Sequence, residues 1–191
     1  MRACAVAALC AFLLGLLLPA SDVLIPVVLI YLTAQMAYVF DCADGQLARA
    51  MGTASKFGDF LDKSVDIVSF TLIFGGYFGF LYRHLTVAGD NANAEIWLLL
   101  GFLFLAARTS RFAVWQRIQF EVGDREAALT KDDGMLVTVV KNVMDMQASL
   151  FGLLLFPFAP DLCLLLFAIQ TVIMAAVYVR YFIRAKHLYD N

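Results

Sequence analysis

Between positions 41 and 66 the chain reads DCADGQLARAMGTASKFGDFLDKSVD, with Asp41, Asp44, Asp59, Asp62 and Asp66. Carboxylates this dense ligate hard cations, move protons, or face water. Their spacing narrows the choice. Asp41, Asp44, Gly45, Ala48 and Arg49 recur at i, i+3, i+4, i+7 and i+8, one face of an α-helix. Gly58, Asp62 and Asp66 recur at i, i+4 and i+8, again one face. Two antiparallel helices with these faces opposed would bring four carboxylates together. Such charges repel, and divalent cations offset the repulsion best. Oxygen ligands without a Cys/His cluster suit Mg²⁺, Mn²⁺ or Ca²⁺ rather than zinc. Four shared carboxylates suit two ions better than one, and two ions about 3.5–4 Å apart clamp a displacement at phosphorus. Gly45 and Gly58 let a ligand approach the helix backbone. Arg49 offers a guanidinium for phosphate. Asp59 is near the same face but surplus, so a solvated or supporting role is expected for it. The plainer reading is a set of interfacial aspartates facing water. Two matched faces, with both glycines and an arginine in register, argue against it.

The elements that must position these residues are apolar. The 191-residue chain is 62% hydrophobic and 16% charged, with a mean hydropathy of +0.80. A soluble domain is about 45–50% apolar and about 25% charged. The composition predicts an all-α, polytopic membrane protein, one domain over 1–191. Six apolar runs read as spanning helices, at roughly 3–20, 22–43, 60–82, 94–114, 135–157 and 160–182. Pro19, Pro157 and Pro160 mark tight hairpins on one side, and the polar segment 83–95 is expected as a loop there. Segments 44–58 and 115–134 fall on the other side. Of 14 Lys and Arg, only Arg83 is on the hairpin side. That imbalance puts both termini and the aspartates in the cytoplasm, as in a bacterial inner membrane or its equivalent.

The N-terminal run ending in LLLPASD has some features of a signal peptide. A second apolar run follows at once, so an uncleaved span is expected. Cys4, Cys10, Cys42 and Cys163 form no CxxC or Cys/His cluster, and each is expected to be a buried, inert thiol. No internal repeat is visible, and no nucleic-acid partner is expected.

The pattern Asp41, Asp44, Gly45, Ala48, Arg49, Gly58, Asp62, Asp66 resembles the CDP-alcohol phosphotransferase signature, with every spacing met. The six-span layout is similar over most of the chain. The resemblance implies transfer of a phosphoalcohol group from a CDP-alcohol, such as CDP-diacylglycerol, to an acceptor hydroxyl, with release of CMP. It implies two divalent ions, Mg²⁺ or Mn²⁺, held by Asp41, Asp44, Asp62 and Asp66, with Asp66 also the general base. Asp44, Gly45, Ala48, Arg49 and Gly58 would line the CDP site, and Ser55 would face the nucleotide phosphates. Family members often begin with an interfacial helix and a Pro-Asn element; neither is visible, so an N-terminal element is expected to be missing. Partners would be the donor, the acceptor, membrane lipid and a second copy in a homodimer.

Polar residues in apolar runs are acceptor candidates: Arg108 and Arg111 on the fourth span, and Lys141 on the fifth. Lys141 and Asp145 are i, i+4 and can instead pair with each other. The aromatic stripe FGGYFGFLY suits helix packing or a dimer contact better than a ligand box, and its glycines permit close helix approach. His84 and His187 are far from the aspartates in sequence, and no nucleophile–histidine pair is apparent, which favours direct in-line transfer. A cation transporter would spread carboxylates over several spans at mid-membrane; here they cluster at the end of two. A non-catalytic scaffold would be expected to lose a motif aspartate, and none is lost.

Overall fold

Helix boundaries in this chain follow from its caps and turns. The computed structural model describes residues 2–52, 55–122 and 146–189. Asp22 Oδ1 accepts from Leu24 N at 2.9 Å, where α2 begins. Ser55 caps α3, its Oγ accepting from Gly58 N at 3.0 Å. Asp90 Oδ1 accepts from Asn93 N at 3.3 Å at the head of α4. Gly52 (φ +64°) and Gly89 (φ +83°) follow α2 and α3 in the left-handed region that glycine tolerates. Pro160 takes the first helical position of α6, where its missing N–H costs nothing.

The helices are α1 (Arg2–Leu17), α2 (Leu24–Ala50), α3 (Lys56–Val87), α4 (Asn91–Val122), α5 (Met146–Leu153) and α6 (Pro160–Tyr189). No strand occurs among the described residues. The all-α expectation holds. Among the described residues, four segments are long and apolar enough to cross a membrane: Leu24–Ala48, Phe57–Val87, Asn91–Val114 and Pro160–Arg180. At about 1.5 Å per residue, the 16 residues of α1 fall short of a hydrocarbon core about 30 Å thick. The start of the expected fifth span lies outside the described residues.

The expected loop 83–95 is largely helical, and the helical faces read across 44–58 are formed. Segment 44–58 belongs mostly to α2, which continues to Ala50, and to α3, which starts at Lys56. Segment 83–95 is the last turn of α3, a turn over 88–90 and the first turn of α4. Apolarity marks where lipid ends, whereas hydrogen bonding and capping decide where a helix ends, so both helices outrun their apolar cores.

Neighbouring helices close a ring in the order α2, α1, α3, α4, α6, α5. The sequence reading set α2 directly against α3; instead α1 packs on both, and α2 and α3 meet over a short stretch. Small side chains make this possible. Cys4, Ala7, Ala8 and Ala11 of α1 are buried. Gly15 passes so close to α3 that a Cβ there would be 2.1 Å from the Gly76 carbonyl oxygen. The aromatic part of the core lies among α3, α4 and α6, where Phe74, Phe78, Phe104 and Phe167 pack with ring centroids 5.2–6.1 Å apart. Tyr77, Phe78 and Phe80 are all buried. The aromatic stripe is therefore packing within the chain, and a dimer contact would need another surface.

Arg83, the exception in the charge split, caps α1. Its guanidinium donates to the carbonyls of Gly15, Leu16 and Leu18, which end a helix without partners of their own. Next to it, His84 Nδ1 is 2.6 Å from the Ala20 carbonyl oxygen. These contacts gather the α1–α2 hairpin against the end of α3, opposite the aspartates.

Candidate active site

The aspartates occupy the last turns of α2 and the first turns of α3. Both helices continue past them, so the helical faces read from spacing are formed. Asp41 and Asp66 both line one cavity, close enough for their carboxyls to interact. Asp62 is within electrostatic reach of Asp41 and of Asp59. Asp44 has other partners, but its Oδ2 is buried and accepts no hydrogen bond among the described residues. Asp59 points outward: it is exposed and pairs with Lys63, Nζ to Oδ2 at 2.8 Å. The surplus carboxylate is thus a solvated i, i+4 ion pair.

Two carboxyls in contact either share a proton or need positive charge between them. The donor set is hard oxygen, which fits Mg²⁺ or Mn²⁺. Among the described residues no three His, Cys, Asp or Glu side chains close on one point as a ready-made metal site. The arrangement therefore fits divalent ions in charge and donor chemistry, with the ligand sphere not drawn together.

Ser55 and Gly58 have a local explanation that spacing did not reveal. A Cβ on Gly58 would be 3.1 Å from Ser55 Oγ, so glycine leaves room for the capping hydroxyl. That cap starts α3 about two turns before Asp62. Gly45 and Ala48 share the Asp41–Asp44 face of α2 and are half-buried. Arg49 follows on α2.

Beside the Asp41–Asp66 pair is a cavity of about 220 Å³. Each of four helices gives it a turn or less: Cys4 from α1, Ala37 and Tyr38 from α2, Ser69 and Phe70 from α3, and Arg108, Thr109 and Phe112 from α4. Along α2 and α3 these residues are on the hairpin side of Asp41 and Asp66. Asp44, Ala48, Gly58 and Asp62 are on the other side, toward the helix ends. The pair thus separates the glycine-bearing motif from the cavity. Arg108 is seated over the Phe70 ring, 4.0 Å from its centroid. Arg111 is half-buried and not part of the lining. Lys141 lies outside the described residues.

The thiols divide in two. Cys163 is buried and donates to the Gly152 carbonyl at 3.2 Å. Cys4 is buried but lines the cavity, its Sγ 3.6 Å from Ser69 Oγ. Cys10 is exposed and Cys42 half-buried, so the expectation of four buried thiols fails for these two. Ser69 could have been found from its i+3 spacing to Asp66, and Thr109 from its place beside Arg108. Nothing in the sequence pointed to Cys4, which reaches the site only because α1 inserts between α2 and α3.

An all-helical membrane bundle with a carboxylate cluster at one end and a cavity beneath it defines the class. The sequence profile of the CDP-alcohol phosphatidyltransferase family matches residues 1–183, and the chain belongs to that family. No curated protein matches it, and no solved structure does.

Proposed function

We propose that this protein transfers a phosphatidyl or related phosphoalcohol group from a CDP-alcohol such as CDP-diacylglycerol to an acceptor hydroxyl, releasing CMP. The observation that carries the reading is the Asp41–Asp66 pair between the motif and the cavity. Asp41, Asp44, Asp62 and Asp66 would hold two divalent ions, which neutralise the pyrophosphate and the charge that develops on the leaving CMP. Gly45, Ala48 and Gly58 would give the donor close access to the helix backbones, with Arg49 binding its phosphate. Ser55 would join them through the hydroxyl that starts α3. Asp66 faces the cavity and takes the proton of an acceptor hydroxyl there. That oxygen then bonds to the phosphorus of the alcohol phosphate as the bond to the CMP oxygen breaks. Arg108 binds the acceptor, with Arg111 and Lys141 as the further basic candidates for its anion. The active site faces the cytoplasm, and the protein works as a homodimer in the membrane.

The test uses the purified protein in nanodiscs with labelled CDP-diacylglycerol and a panel of acceptors. CMP release should vanish in excess EDTA and return with Mg²⁺ or Mn²⁺. Undiminished CMP release in excess chelator would sink the two-ion reading.

A further inference from the structure

We infer that Cys4, Ser69 and Thr109 form the wall that sets which acceptor this protein uses, and that the acceptor is a compact, water-soluble anionic alcohol. The inference rests on the transferase reading above and says what enters its cavity. Size is the first argument. At about 10–15 Å³ for each water-sized probe, the cavity of about 220 Å³ has room for on the order of fifteen such groups. A small polyol phosphate fits that space; a second diacylated lipid does not.

Charge is the second argument. Asp41 and Asp66 line the cavity and are close enough to interact. Arg108, in the same lining, brings a permanent positive charge and rests on Phe70. A guanidinium suits a phosphate or carboxylate and repels a quaternary amine. An acceptor with its anion toward Arg108 would present its hydroxyl toward Asp66.

The wall is the third. Cys4 and Ser69 are hydrogen-bonded to each other across α1 and α3, and both are buried. Thr109 donates its hydroxyl to the Leu105 carbonyl at 2.7 Å, which fixes its side chain. All three are small. A larger side chain at any of them takes volume from the cavity.

The experiment measures CMP release and direct CDP-diacylglycerol binding in nanodiscs for wild type, Cys4→Leu, Thr109→Leu and Ser69→Ala. Acceptors are glycerol 3-phosphate, inositol phosphate, inositol, serine, choline and phosphatidylglycerol. Wild type should use a phosphate-bearing soluble alcohol and reject choline and phosphatidylglycerol. Cys4→Leu and Thr109→Leu should raise the acceptor KM about tenfold or more, the scale of added methylenes in a fitted pocket, with donor binding within about twofold. Ser69→Ala should shift preference toward the larger phosphate. Thr109 is half-buried, so Thr109→Leu decides the matter if Cys4→Leu fails to bind donor. A raised donor KM with an unchanged acceptor KM would give the cavity to the donor's alcohol and overturn the inference. Wild-type use of choline or phosphatidylglycerol would overturn it too. CMP release by wild type from none of the acceptors would strike the transferase reading itself, a failure distinct from these.

Discussion

Asp66 is where the motif meets the cavity, and its two jobs, ligand and base, can be separated from those of its neighbours. Asp66→Asn keeps the size and one carbonyl oxygen but removes the base and a negative charge. Turnover should fall about 10²-fold or more, the range for a lost general base, with CDP-alcohol still bound. Asp59→Asn should leave turnover near wild type, because Asp59 is exposed and paired with Lys63. If the two variants behave the other way round, Asp59 is the base. Arg49→Lys keeps charge but loses the planar fork, so it should chiefly raise the donor KM, a loss of ground-state binding. Near-normal donor KM in that variant would remove Arg49 from the CDP site. The motif was legible because side chains on one helical face recur at intervals that sequence shows directly. Ser55 and Gly58 were only half legible. Their spacing was visible, but their capping contact depends on where α3 begins.

Helix α1 is the element whose position sequence did not give. Its run of Cys, Ala and Gly reads as plain apolar filler, yet those residues let it pack on both α2 and α3. The tightest point is Gly15 against Gly76, where the obstructing atoms are backbone and have no rotamer to change. Gly15→Ala should therefore destabilise the fold by about 1–3 kcal/mol, the usual range for overpacking. A lowered thermal midpoint in detergent would register it. Gly79→Ala is the control, since its new Cβ would meet Leu16 Cδ2 at an ordinary 3.7 Å. Equal midpoints for Gly15→Ala and wild type would mean that α1 is not seated this tightly. The contact escaped sequence reading because it joins residues 61 positions apart, with no periodicity linking them.

At the scale of the whole molecule, the bundle has two unlike ends. One holds the aspartates and the α2–α3 turn; the other holds the α1–α2 hairpin, gathered by Arg83 and His84 to the end of α3. The division into sides was legible from prolines and charge, and the contacts of Arg83 strengthen it. With Arg83 committed to the carbonyls that end α1, it is better understood as a cap than as an orientation signal. The sequence reading assigns the remaining thirteen Lys and Arg to the other side or near it, which predicts that this side is cytoplasmic. The turns test it. Ala88 and Met51 are exposed, in the turns after α3 and α2. In a background with Cys10 and Cys42 changed to alanine, Ala88→Cys should react with a membrane-impermeant maleimide on intact cells. Met51→Cys should react only after the membrane is opened. Labelling of Met51→Cys alone on intact cells would invert the bundle. The motif would then face away from the cytosolic pool of CDP-alcohols, and the transferase reading would need a donor on the opposite face.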